Sequence, residues 1–502
     1  MINRLSHQQL ALTAALLLFC YTLLVSNLGW RDMWYDEVGD FLIAAEPLPD
    51  ILTANKAGSL DPPLYYYFLH FWSAAAGRSE IALRFPSVLL VTLAVAITFS
   101  WARRWLGFDG GWTAALLLGI MPPVIYYAQE VNQYAGLTFF ASLAVWIITR
   151  PDTTNQPNRQ ASLLFGLTSA AGLAWHYGFI WCWLSLNLVF LLGRPNRPTL
   201  LCWGIGQTIV VITGWILFTL VLDTQHTVGS IAVYLRHAYP SSYTLPHLFQ
   251  FFGIAWLKIL VFFLGGNHIH SMALIFTSVG LHIGGLVTGG LARLRSKHKA
   301  SQPVIHLASL SAILMVASML KLYPFYGGRH LMMLSPLFAT VLAWAWLALP
   351  RPLARLGLLL VAVTFALCWP HQWAAGYSHG ENTRALLAKF ESNAQPDDGL
   401  FIYAESARTW RYYRPELPPG AQVGKWWAYN HYPDVLAEMD TAVADAPRTW
   451  LAFTRCLNED GVCERLFETI PNRYCELSQW ESGQSRLFLV QLCSKRGSDT
   501  GP

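Results

Sequence analysis

The feature that most constrains this chain is a series of apolar runs, each long enough to enter a bilayer, separated by short polar connections. Crossing about 30 Å of hydrocarbon at about 1.5 Å per residue takes roughly 20 mostly apolar residues. Runs approaching or meeting that length lie at 10–28, 85–101, 112–126, 134–149, 161–175, 179–192, 200–222, 271–291, 304–320, 330–349 and 356–369. The sequence therefore predicts a polytopic α-helical membrane protein with about 11 transmembrane helices. Charge supports this: 13% of the 502 residues are charged, against about 25% in a soluble domain. The net charge of +5 does not mark a nucleic-acid partner, because the basic residues fall in short clusters between apolar runs.

Those clusters report topology instead. With the amino terminus cytoplasmic, one set of connections carries Arg4, Arg103, Arg104, Arg150, Arg159, Arg194, Arg197, Arg293, Arg295, Lys297, Lys299, Arg351 and Arg355, with only Asp109 and Asp152 beside them. The opposite loops are longer in total, hold fewer basic residues and carry most of the acids, which places them outside. The run at 251–265 is short and contains Lys258, so it reads as a re-entrant or interfacial helix on the outer surface. The first run lacks a small-residue cleavage site and reads as a retained helix.

Residues 1–370 form the predicted membrane domain, and its outer loop 29–85 carries an acidic motif. Residues 371–502 are polar enough to be solvated. They show strand patterns at 400–403, 449–453 and 486–492, and helical patterns at 382–391 and 435–445. This predicts a carboxy-terminal extracytoplasmic α/β domain of ordinary size. Cys20, Cys182, Cys202 and Cys368 lie in apolar runs, whereas Cys456, Cys463, Cys475 and Cys493 crowd the end of the tail. Outside the cytoplasm such a set forms disulfides. Proximity favours Cys456–Cys463 and Cys475–Cys493 among the three pairings that four cysteines allow. Metal binding is the rival reading of these thiols, but there is no C-x-x-C spacing and no clustered histidine.

The first outer loop holds the most chemistry. Asp36 and Glu37 follow the first run directly and are flanked by Trp34 and Tyr35, residues suited to the membrane interface. A carboxylate there is partly dehydrated yet reachable by a membrane-borne substrate, which suits it to act as a base or a metal ligand. The bland alternative is an acidic pair that merely solvates a loop. Further along come Pro62, Pro63, Leu64, Tyr65 and Tyr66, then His70 and Trp72, then Glu80, Arg84, Pro86 and Ser87. After the third run stand Gln129, Glu130, Val131, Asn132, Gln133, Tyr134 and Ala135. His176 and Tyr177 follow the fifth, and YPFYGGRHLMMLSP precedes the tenth.

In this order the motifs resemble those of the GT-C membrane glycosyltransferases, specifically the bacterial branch related to protein O-mannosyltransferases and to the lipid A aminoarabinose transferase. Asn132 departs from the arginine usual in that pattern, and DDGLFIYAESARTWRYY resembles the start of the domain appended to such enzymes. The resemblance implies a multi-pass protein of the bacterial plasma membrane. It would move a sugar, with inversion, from a polyprenyl-phosphate donor to an envelope acceptor hydroxyl on a lipid, polysaccharide or protein, without a nucleotide cofactor.

Asp36 is then the expected base, with Glu37 and Glu130 orienting hydroxyls or, if a divalent cation takes part, holding it with Asp36. Arg329 is the first candidate for the donor phosphate, with Lys321, His330 and Arg84 behind it. Gln129, Tyr134, His70, His176 and Tyr65 complete the expected substrate-binding set. Each has a plainer alternative: Arg329 as a snorkelling cation at a helix end, Arg84 as an anchor, and His70, His176 and the Tyr65 run as interfacial packing. Two other functions remain alternatives. A secondary transporter would show paired repeats and ionisable residues near the midplane, and a non-catalytic envelope scaffold would tolerate Asn132.

Overall fold

The computed structural model describes residues 5–150, 159–221, 235–265, 272–295, 302–373, 381–425, 431–456 and 461–493. The chain divides into two compact units. One comprises Met1–Leu28 and Asp40–Gln372, the other Gly29–Gly39 and Trp373–Pro502. The acidic motif at the start of the first loop thus folds with the tail.

The helical unit begins with α1 (His7–Val25), whose first turn is closed by a capping box between Ser6 and Gln9. The helix α2 (Tyr35–Ala45) and the short α3 (Ile51–Gly58) and α4 (Leu64–Ala76) follow in the first loop. The next element, α5, runs from Glu80 to Ile120 and is interrupted at Gly107, whose φ of 79° breaks the helix where a side chain would be strained. The run expected at 85–101 lies in the first half of α5, and the run expected at 112–126 covers its second half and continues past its end. The second half stops at Ile120 because Pro122 and Pro123 open a separate short helix, α6 (Pro122–Ala128).

Then come α7 (Tyr134–Ile148), α8 (Arg159–Trp175), α9 (Phe179–Leu192), α10 (Arg197–Leu220), α11 (Leu245–Phe263), α12 (Met272–Arg295) and α13 (Gln302–Met319). The run expected at 330–349 begins as a 3-10 turn, Arg329–Leu334, and becomes the helix α14 (Ser335–Trp346) at Pro336. The last helix of this unit is α15 (Arg351–Trp373). Packing is close where residues are small: a Cβ on Gly166 would run into the Gly206 backbone, so α8 and α10 meet with almost nothing between them.

Among the described residues, six helices are long and apolar enough to cross a membrane, and Tyr134–Ile148, Phe179–Leu192 and Val279–Ala292 are shorter apolar helices. The protein is a helical membrane protein. The six include Leu245–Phe263, a helix of 19 residues where the sequence suggested a shorter re-entrant element. The shorter reading began at Phe251 because His247 and Gln250 dilute the apolar pattern, yet Pro246 in the first turn already starts the helix.

The appended unit is α/β. Its elements are α16 (Thr383–Asn393), β1 (Gly399–Ile402), α17 (Ala407–Tyr413), β2 (Gln422–Val423), α18 (Tyr432–Ala444), β3 (Thr449–Phe453), α19 (Val462–Arg473), β4 (Cys475–Ser482) and β5 (Ser485–Gln491). They form one five-stranded sheet in the order β2-β1-β3-β5-β4. The first three strands pair in parallel, while β5 runs antiparallel to both β3 and β4. All of β3 is buried, as a central strand covered on both faces must be. Phe401, Leu451, Phe453, Phe488 and Val490 pack one core with α18 and α19. Leu400, Ile402, Trp450, Leu487 and Leu489 pack the other with α16 and α17. Cys456 pairs with Cys463 and Cys475 with Cys493, while Cys20, Cys182, Cys202 and Cys368 are free thiols.

Candidate functional site

Asp36 and Glu37 occupy the first turn of α2 within the appended unit. Glu37 is 1% exposed and accepts a hydrogen bond from the Trp34 backbone N–H at 3.3 Å. That is the reach-back of a helix-capping glutamate, so Glu37 shapes the turn that presents its neighbour. Asp36 is half-buried.

The strip before it is held at several points by the tail. Arg384 binds the Asp32 carboxylate and donates to the Trp30 carbonyl. The Tyr413 hydroxyl accepts from the Met33 N–H at 2.6 Å. The Tyr35 N–H donates to Glu381 at 3.1 Å, and Arg455 lies 3.5 Å from the other oxygen of Glu381. The Arg408 and Arg455 guanidiniums cover the Tyr35 ring at 4.6 and 4.8 Å. Burial pushes Glu381 up to about 8, with Asp36 adding to the rise and Arg455 and the Tyr35 N–H opposing it.

The helical unit gathers a second polar group. Arg329 lies over the Tyr134 ring at 5.5 Å, and the His176 and His330 rings flank Tyr134 at 5.4 and 6.0 Å. Burial, with the Arg329 charge added, pushes His176 down to about 4, so its imidazole is neutral near pH 7. Its Nδ1 accepts from the Gly178 N–H at 2.9 Å, which leaves Nε2 carrying the proton and facing Asp61 at 3.9 Å. Among the described residues, Nδ1 of His330 and the Tyr177 hydroxyl are buried with no hydrogen-bond partner.

Next to Tyr134, Gln133 donates to the Tyr66 hydroxyl at 3.1 Å, and Tyr66 bonds Asp40 at 3.0 Å and Ser59 at 2.6 Å. Asp40, Asp61, Tyr66 and Gln133 were not among the expected site residues. Asp40 falls one helical turn after Asp36, and that spacing was the available signal.

Several expected substrate contacts have structural partners. Gln129 donates to the carbonyls of Leu24 and Ser26 at 3.0 and 2.8 Å, satisfying the open end of α1. Arg84 is 0% exposed and donates to the Leu28 carbonyl at 2.9 Å, which fits the anchoring alternative. Glu130 is 1% exposed and accepts from Asn132 at 2.6 Å, while Asn132 accepts the Tyr134 N–H at 2.9 Å. The residue that departs from the motif therefore ties Glu130 to the start of α7. His70 meets the Ala44 carbonyl at 2.8 Å, and Tyr65 packs edge-on against Trp175 at 5.3 Å. Lys321 is exposed with a φ of 57°, and the Leu322 N–H returns to Ala317, the Schellman ending of α13.

Among the described residues no group of three His, Cys, Asp or Glu side chains is arranged to hold a metal ion. Asp36 and Glu37 lie in the appended unit and Glu130 in the helical unit.

Residues 61–223 match the model of the dolichyl-phosphate-mannose-protein mannosyltransferase family. The chain is similar in fold to ArnT from Cupriavidus metallidurans in the apo state, with a TM-score of 0.61 and 12% identity over 96% of this chain and 98% of that one. ArnT from the same organism bound to undecaprenyl phosphate matches with a TM-score of 0.59 and 12% identity, over 95% and 97% of the two chains. A search of the curated proteins finds no match.

Proposed function

We infer that this chain, which over residues 61–223 matches the model of the dolichyl-phosphate-mannose-protein mannosyltransferases, is a membrane glycosyltransferase that uses a polyprenyl-phosphate-linked sugar. The single observation that carries the reading is Arg329 seated on Tyr134 between His176 and His330. It is a fixed cation among neutral hydrogen-bonding rings, suited to a phosphate that gains charge as it leaves. Binding of undecaprenyl phosphate by a protein of the same fold supports the carrier.

In the proposed reaction an acceptor hydroxyl attacks the anomeric carbon, its proton passes to Asp36, and the bond to the phosphate oxygen breaks with inversion. The carrier leaves as polyprenyl phosphate, and Arg329 meets its added negative charge. Transfer of this kind needs no nucleotide cofactor. A general base is typically worth about 10²–10⁴ in rate. The acceptor is an envelope lipid, polysaccharide or protein. The reaction side is extracytoplasmic and the amino terminus cytoplasmic, which the basic connections and the paired tail cysteines support.

Purified protein given radiolabelled polyprenyl-phosphate sugars tests the reading. Carrier-dependent loss of label to an acceptor is expected, and intact donor across all sugars and envelope acceptors would overturn it. A reporter at the carboxyl end tests the side, and a cytoplasmic signal there would overturn the orientation.

A further inference from the structure

Inside the appended unit, three acidic side chains and two guanidiniums gather around the Trp34–Tyr35 turn. Asp36 comes from α2, Glu381 from just before α16, and Glu405 from the 3-10 turn Ala404–Ser406. Arg408 comes from α17 and Arg455 from just after β3. Glu381 is 0% exposed and Glu405 2%. A buried carboxylate without a cation is costly, and Arg455 is the cation this group shares: Glu381, Asp36 and Glu405 all raise its affinity for its proton against the opposing effect of burial.

The backbone of Arg455 is itself pinned. Ser406 Oγ accepts from the N–H groups of Thr454 and Arg455 at 2.8 and 3.3 Å and donates to the Arg455 carbonyl at 3.1 Å. The Arg455 guanidinium also lies 5.9 Å from the Trp34 ring, so one side chain touches both aromatic residues that precede Asp36.

We propose that the appended unit is part of the transfer machinery, with Glu381 and Arg455 as positioning residues. Glu381 holds the Tyr35 N–H. Arg455 clamps the Trp34 and Tyr35 rings, the two residues before Asp36, and places its positive charge near that carboxylate. This rests on the reading of Asp36 as the base. It explains why the motif folds with the tail, and why the segment just after β3, some 420 residues further along the chain, carries a half-buried arginine at this point. Misplacing a reacting group by about 1 Å can cost on the order of 10² in rate. Losing the Arg455 charge also raises the pH at which Asp36 becomes a base.

The test uses the full-length protein in the donor-lipid assay. Arg455→Ala should lower kcat about tenfold or more, leave donor KM within about twofold and move the acid limb of the kcat profile to higher pH. Arg455→Lys should recover part of the loss and return the limb toward its original position. Glu381→Ala should lose more than Glu381→Gln, because glutamine still accepts from the Tyr35 N–H.

Arg448→Ala is the control. It breaks the Arg448–Asp398 pair, 2.7 Å long and in the same sheet, and should lower stability while leaving kcat and its pH profile unchanged. A normal kcat in Arg455→Ala, or an Arg448→Ala variant as slow as Arg455→Ala, overturns the positioning role. Should Arg455→Ala not fold, Arg455→Lys and Glu381→Gln decide it: wild-type kcat and pH profile in both sinks the proposal. Asp36→Asn separates the two readings. If it retains turnover the base assignment fails and the positioning role with it. If it is inactive while the Arg455 variants are normal, only the positioning role fails.

Discussion

The first loop is gripped in two different ways on either side of Gly39. Residues 29–39 belong to the appended unit and are held by charge: Arg384 on Asp32, and Arg408 and Arg455 on the Tyr35 ring. From Asp40 onward the loop belongs to the helical unit, where the grip is largely neutral: Tyr66, Ser59 and Gln133 around Asp40, His70 on Ala44, and an uncharged His176 facing Asp61. Each material suits its unit. Guanidinium–carboxylate pairs recur through a domain with solvent nearby, as with Arg448–Asp398 and Arg473–Asp440. Among membrane helices a charge is expensive, and hydroxyl, amide and imidazole groups do the joining. The lesson is that two acids one helical turn apart, Asp36 and Asp40, do not have the same job.

The largest expected effect breaks or sharpens that contrast directly. Asp36→Asn keeps size and much of the hydrogen bonding but cannot take a proton, so turnover should fall about 10²-fold or more at matched stability. Asp40→Asn still accepts from the Tyr66 hydroxyl and should cost less than about tenfold. Transfer rates of the two purified variants decide it. Equal losses would mean that the division at Gly39 has no functional counterpart, and near-normal turnover in Asp36→Asn would move the base elsewhere.

Next in size is the covalent difference between the units. The Cys475–Cys493 bond closes a loop with a sequence separation of 18, and closing a loop of about 15 residues contributes around 3 kcal/mol in the chain-entropy picture. Replacing both cysteines with serine should therefore lower the unfolding midpoint of the appended unit by several degrees. The corresponding change at Cys182, a free thiol in α9, should leave that transition where it was. Peptide mapping without reductant checks the pairing, and a wild-type protein with four free tail thiols would refute it.

Arg329 should show a smaller effect of another kind. The donor phosphate is charged both before and after transfer, so Arg329→Ala should raise donor KM by about tenfold and lower kcat as well. Arg455→Ala should alter kcat alone. Identical kinetic signatures for the two arginines would erase the distinction between a phosphate contact in one unit and a positioning contact in the other.

Much of this was legible in the sequence, and what was not has a physical pattern. Apolar runs located the helices because hydropathy is additive along a chain, and Gly107 falls between two of them. Strands β1, β3 and β5 were legible from apolar pattern, whereas β4, with exposed Glu476, Leu477 and Ser478, carries little such signal. The motif around Gln129, Glu130 and Asn132 could be found, but its work could not. Its side chains hold the end of α1 and the start of α7, and burial is invisible in a linear pattern. Lys321 is legible as a basic residue near a helix end, whereas the left-handed turn it adopts to close α13 is not. The grip of Glu381 and Arg455 on the Asp36 turn joins residues distant in sequence by way of a sheet, and no local spacing reports it.

The smallest expected effect concerns how pH acts on that grip. Glu381 is raised from the ordinary carboxylate range to about 8, chiefly by burial. The folded unit therefore binds a proton that the unfolded chain releases between about pH 4.5 and 8. Its contribution to stability is complete below the unfolded value and is lost as pH rises through the folded one. Asp398 and Asp440 are held below the usual range by hydrogen bonds from Arg448 and Arg473, which outweigh the rise from burial. They act with the opposite sign, their contribution being lost as pH falls through their own lower range. From about pH 5 to 8 Glu381 adds a falling slope, while those two aspartates are ionised throughout. Amide exchange at β1 and β3, corrected for its intrinsic pH dependence, should show protection declining across this interval, and Glu381→Gln should flatten the decline. If protection is flat in the wild type, Glu381 titrates in the ordinary carboxylate range and Arg455 is neutralised by it at pH 7. Asp36 would then have less of the Arg455 charge than the clamp described above requires.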